Sequence, residues 1–141
     1  MQESKQGLRQ ILTDTNQRHG WQIPDYVVEH VTAILADKVT KPKWQPEPSY
    51  AERYLKLRTS TEALEFGNTC FFTRSCFPEL NQRILGQTYY TQLGQSCYDR
   101  VLRSSSVPNP IIRVMRDHFE FLAETTYTAI RHFGDFRSMW D

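Results

Sequence analysis

The sequence predicts an all-α fold, a single bundle of five to six helices over residues 1–141, and three observations lead there. Apolar residues recur at threes and fours along most of the chain, the spacing of one helix face. No segment alternates apolar and polar positions with β-branched residues, and the hairpin pairs Asn-Gly and Asp-Gly are absent. Serine, asparagine, proline and glycine stand where such helices would start and stop.

Leu8, Ile11, Leu12 and Thr15 form a narrow stripe on a first helix from Ser4 to about Arg18, with Gly20 as its stop. Ile23-Pro24-Asp25 opens the second, since proline suits the first turn and Asp25 suits the positive end of the helix dipole. Val27, Val31, Ile34 and Leu35 share its apolar face, Glu29, Asp37 and Lys38 are expected in water, and it should end near Lys41. Residues 41–48 carry three of the seven prolines and read as an extended crossover loop pinned by Trp44.

Ser49, with Glu52 three positions later, caps a short helix through Tyr50, Tyr54 and Leu57. Ser60 is the expected cap of the next. On that helix Ala63, Phe66, Gly67, Cys70 and Phe71 lie along one face, widened by Phe72 and Phe77, so it should be central; Pro78 follows its end. After a connection from Glu79 to Gln87, a further helix carries Tyr90, Leu93, Gly94, Cys97 and Val101 on one face. Residues 104–108 form a loop. Asn109 as N-cap and Pro110 at the first position then open one long last helix running to Gly134. Its main stripe is Ile112, Met115, Phe119, Leu122, Thr126, Ala129 and Phe133, and Val114, Phe121 and Ile130 make a second. A short tail, 135–141, ends the chain with Phe136, Met139 and Trp140.

Three glycines precede the same step: Gly67-Asn68-Thr69-Cys70-Phe71, Gly86-Gln87-Thr88-Tyr89-Tyr90 and Gly94-Gln95-Ser96-Cys97-Tyr98. Their spacings differ, so a shared packing solution explains them better than a repeat. A glycine inside a helix costs about 1 kcal/mol against alanine, and close approach of two helix backbones is the simplest return.

Composition narrows the function. Near-balance of 17 basic and 16 acidic side chains, net +1, argues against a dedicated nucleic-acid binder. With 39% apolar and 13% aromatic residues, the chain is globular. Three cysteines fit no common zinc spacing and read as buried reduced thiols. The N-terminal residues lack the apolar core of a secretory signal, and no apolar run approaches the roughly 18 residues that span a bilayer; a cytoplasmic protein is expected.

The run from Gly67 to Pro78, followed by Tyr89 to Tyr98, resembles the shared core of a family of short, uncharacterised bacterial helical proteins. That core shows Gly-Asp, a Leu-Phe step, a small residue before Phe-Pro, then Tyr-Tyr and a glycine with Ala-Tyr three residues on. The resemblance covers about the central third of the chain and implies the fold without implying an activity. Asn68 stands where the family usually has aspartate, and Ser75 where it has glycine. An acid needed for catalysis would not survive as an amide.

No Glu-x-x-His pair of a di-iron bundle occurs, and Glu29-His30 and Asp117-His118 are adjacent pairs that point about 100° apart on a helix. No metal site, cofactor or catalytic residue is assigned. Phosphate loops and nucleophile elbows are likewise absent from the sequence. Asn68, Arg74, Tyr89, Tyr90 and Tyr98 are the candidate ligand-binding residues, able either to line a polar pocket or to satisfy one another within the core. The leading expectation is a non-enzymatic protein acting through protein contacts, as a homodimer through the last helix and the tail. The alternative is a small-ligand or haem-type binding protein with a pocket near Arg74, Tyr90 and Tyr98. A helical DNA-binding regulator is third.

Overall fold

A computed structural model gives the fold and describes residues 2–39, 49–77 and 89–131. Among the described residues there are seven helices and no strand. They are α1 (Gln2–His19), α2 (Asp25–Val39), α3 (Tyr50–Leu55), α4 (Ser60–Cys76), α5 (Tyr89–Ser104), α6 (Pro110–Asp117) and α7 (Phe119–Arg131). The expected crossover loop at 41–48 with Trp44, the 79–87 connection and the 135–141 tail lie outside the described residues. Contacts group the chain into two compact units, Met1–Gln45 with Glu124–Asp141, and Pro46–Ala123.

In the first unit α1 packs on α2, burying Leu8 and Leu12 of one and Val27, Val28, Val31, Ile34 and Leu35 of the other. Gly20 ends α1 at φ 65°, a left-handed conformation that glycine adopts without a Cβ clash. The turn is closed by Asn16, whose side-chain amide donates to the Ile23 carbonyl at 3.0 Å and accepts from the Ile23 N–H at 3.1 Å. Arg9 and Glu29 pair across the two helices at 2.7 Å, exposed to water. Lys38, expected in water, is instead buried at 2% exposure. Its position one turn beyond Ile34 and two beyond Val31 continues the apolar stripe, and its four-carbon stem fills that place.

The second unit is built on α4 and α5. Capping fixes where α4 starts: Thr59, and not the expected Ser60, is the N-cap, in extended conformation (φ −119°, ψ 160°). Its hydroxyl accepts from the Glu62 N–H while the Glu62 carboxylate accepts from the Thr59 N–H, each at 3.1 Å. That reciprocity requires the glutamate three positions after the cap, which Glu62 is for Thr59 and not for Ser60. Ser49 caps α3 as expected, its hydroxyl accepting from the Glu52 N–H at 3.2 Å.

The expected long last helix is two helices. His118 leaves helical geometry at φ −120°, ψ 26° and ends α6. Asp117 and His118 are both poor helix formers, and the break brings Phe119, fully buried, against Gly94. Asn109 and Pro110 open α6 as the sequence predicts, with the Asn109 side chain accepting from the Ile112 N–H at 3.1 Å.

Candidate functional site

Glycine sets the crossing of α4 and α5. A Cβ on Gly67 would lie 3.0 Å from Tyr98 Cε1 and 3.2 Å from Cys97 Cβ, and one on Gly94 would overlap the Phe119 ring. A Cβ on Gly94 would also lie 3.3 Å from Cys70 Cβ, so residues 67 and 70 face 97–98 and 94 and the helices run antiparallel; Gly67 sits in the close helix approach expected of it, whereas Gly94 makes room for a ring of a third helix. The face so formed is aromatic. Tyr50 packs edge-on to Tyr90 with ring centroids 4.9 Å apart, and Tyr89 leans on Tyr90 at 5.1 Å. Phe71 meets Phe119 at 5.4 Å, also edge-on, the geometry that ring quadrupoles favour.

The five candidate residues fall into three groups: Asn68 with Tyr98, Tyr89 with Tyr90, and Arg74 apart from both. Asn68 Oδ1 accepts from the Tyr98 hydroxyl at 2.8 Å. Six residues further along α4, about 9 Å along the axis and on a different side of the helix, stands Arg74. Its guanidinium donates to Glu120 Oε1 through Nε at 2.9 Å and also through Nη2, while the Thr91 hydroxyl donates to Glu120 Oε2. Tyr90 is buried among rings, and the Tyr89 hydroxyl accepts from the Ala51 N–H at 3.0 Å. Tyr50 and Thr73 share a buried hydroxyl–hydroxyl bond of 2.7 Å.

Glu120 and Thr91 were not candidates in the sequence. Neither stands in a motif, and Glu120 is 46 residues from Arg74. One signal points their way: an arginine inside so apolar a helix needs a counter-charge. Helix ends favour the pair on both sides, since Arg74 lies in the last turn of α4 and Glu120 in the first turn of α7.

Burial dominates the electrostatics of the centre. It pushes the Cys97 thiol up to about 12, against the lowering influence of Arg100 and Arg53. Tyr98 is raised well above the ordinary phenol range, first by burial and then by Cys70, Cys97 and Glu65. Burial also raises Tyr90, with smaller contributions from Tyr89 and Cys70. Thiol and phenols thus stay neutral at physiological pH, so Cys97 lacks the thiolate that nucleophilic catalysis uses. Among the described residues no three His, Cys, Asp or Glu side chains gather as a metal site, and no helix is long and apolar enough to cross a membrane.

A second polar group lies on α5 and α6. Arg116 Nη1 pairs with Asp99 at 2.8 Å and Arg116 Nε with Asp117 at 2.9 Å, and these residues line a shallow hollow with Gln95 and Ser96. Gln95 also donates to the Arg116 carbonyl at 2.9 Å. Comparison with protein-family models, curated proteins and solved structures yields no match.

Proposed function

We propose that this chain is a non-enzymatic helical protein that works through protein contacts, pairing with a second copy of itself. One observation carries the reading: the polar groups at the centre are engaged in joining helix to helix. Asn68 holds Tyr98, Arg74 holds Glu120, Thr91 holds Glu120 and Tyr89 holds the start of α3. A centre so committed is scaffold, and function then falls to the surface. Apolar side chains reach that surface: Phe121 of α7 is 45% exposed, and Leu55 and Val107 reach 81% and 70%.

Sedimentation analysis across the micromolar range tests it. A dimer that Phe121→Glu returns to monomer, with an unchanged circular dichroism spectrum, is the expected result. A monomer at every concentration, with no second protein bound, would overturn the reading.

A second reading, a small-ligand binding protein, is favoured by one arrangement: a buried guanidinium whose counter-ion lies at the surface. Native mass spectrometry of the freshly purified protein tests that reading. A co-purifying small molecule supports it, and a bare chain mass under gentle conditions counts against it.

A further inference from the structure

We propose that Arg74 and Thr91 form a binding site for a carboxylate ligand, in which the Glu120 carboxylate is a displaceable internal occupant. The proposal deepens the small-ligand reading and is independent of self-association.

The internal occupant shows what the site accepts. One oxygen of Glu120 sits on the Nε and Nη2 edge of Arg74, and the other receives the Thr91 hydroxyl. A planar group with two acceptor oxygens and one negative charge matches those donors; an ammonium cannot accept, and an amide presents only one oxygen. All three donor groups belong to α4 and α5, which meet closely where Gly67 lies against Cys97 and Tyr98, and none belongs to α7. The occupant and its donors therefore come from different helices.

Burial is unequal across the pair. The Arg74 side chain is 5% exposed and that of Glu120 is 44% exposed. Removing a counter-charge from a buried cation is unfavourable, so Glu120 does not simply depart. Exchange for another carboxylate avoids that cost, because the incoming charge replaces the outgoing one. Glu120 itself gains hydration that it already half possesses. Being tethered, it competes at an effective concentration of at least millimolar order. Simple monocarboxylates should thus bind the natural protein weakly, and a ligand that adds contacts of its own should bind more tightly.

The experiment uses the whole chain and its Glu120→Ala and Glu120→Gln variants, titrated with sodium acetate against sodium chloride at equal ionic strength. Thermal midpoints and the NMR resonance of the Arg74 Nε–H are followed. The expected result is a saturable acetate-specific rise in the midpoint of Glu120→Ala, lost in Glu120→Ala/Arg74→Met, with wild type needing about tenfold more acetate. No rise, or the same rise with Arg74→Met, overturns the proposal. Should Glu120→Ala not fold, the Arg74 resonance in wild type and Glu120→Gln decides: movement with acetate and not chloride supports the site, and a fixed resonance overturns it. An equal response to inorganic phosphate overturns the carboxylate class. A co-purified molecule without a carboxyl group would overturn this site while sustaining the small-ligand reading.

Discussion

At Gly94 an added methyl would fall within the Phe119 ring, which is fully buried, whereas at Gly67 it would stop 3.0 Å from one edge of Tyr98. Overpacking of this kind costs about 1–3 kcal/mol, while glycine to alanine inside a helix returns about 1 kcal/mol. Gly94→Ala should therefore destabilise by about 2 kcal/mol and Gly67→Ala by less than about 1 kcal/mol, as read by urea unfolding. Both glycines were legible in the sequence, because a helix interior seldom keeps glycine without a packing reason. Their ranking was not, since it depends on Phe119, which belongs to another helix. Cys97 offers a second residue-scale test. With its thiol held neutral up to about 12, iodoacetamide at neutral pH should leave Cys97 unmodified in the folded protein and label it once denaturant is added. Rapid native labelling located by peptide mass would refute that protection.

Individual helices depend on their ends and on a few bonds between them. Asn109→Ala removes the acceptor for the Ile112 N–H at the start of α6 and should cost about 1 kcal/mol in chemical denaturation. Glu120→Gln leaves the Arg74 guanidinium buried with a weaker acceptor. Because the glutamate is half-exposed, the full cost of breaking a buried pair is discounted to about 1–2 kcal/mol, measured the same way. The sequence announces the start of α6 through Asn109-Pro110, a local signal. It does not announce the break at His118, where neither proline nor glycine stands and the turn coincides with the seating of Phe119 against Gly94. The same reason hid the Arg74, Thr91 and Glu120 cluster: three helices contribute one group each, and no spacing along the chain relates them. Lys38 misled in the opposite sense, its charge suggesting water while its helical position continued an apolar stripe.

For the molecule as a whole, pH should act through His30. Its Nε2 is buried and has no hydrogen-bond partner among the described residues, and burial lowers its pKa below the ordinary imidazole value. The unfolded chain then binds a proton at a pH where the folded one does not, so protonation favours unfolding. Stability should hold at neutral pH and fall as pH drops below about 6.5, flattening once the folded histidine also titrates. Thermal midpoints between neutral and mildly acidic pH would show the slope, and His30→Gln should reduce it; an unchanged slope would assign the effect elsewhere. The all-helical class was legible from periodicity, from helix-end residues and from the lack of alternating segments, whereas the grouping into two compact units depends on which stripes meet, which periodicity does not encode.

Gly94 and Phe119 also constrain how this sequence can drift. A bulkier residue at 94 is tolerable only in a chain whose 119 side chain has already shrunk, so the two positions should change in concert across related chains, and an isolated enlargement at 94 should be purged.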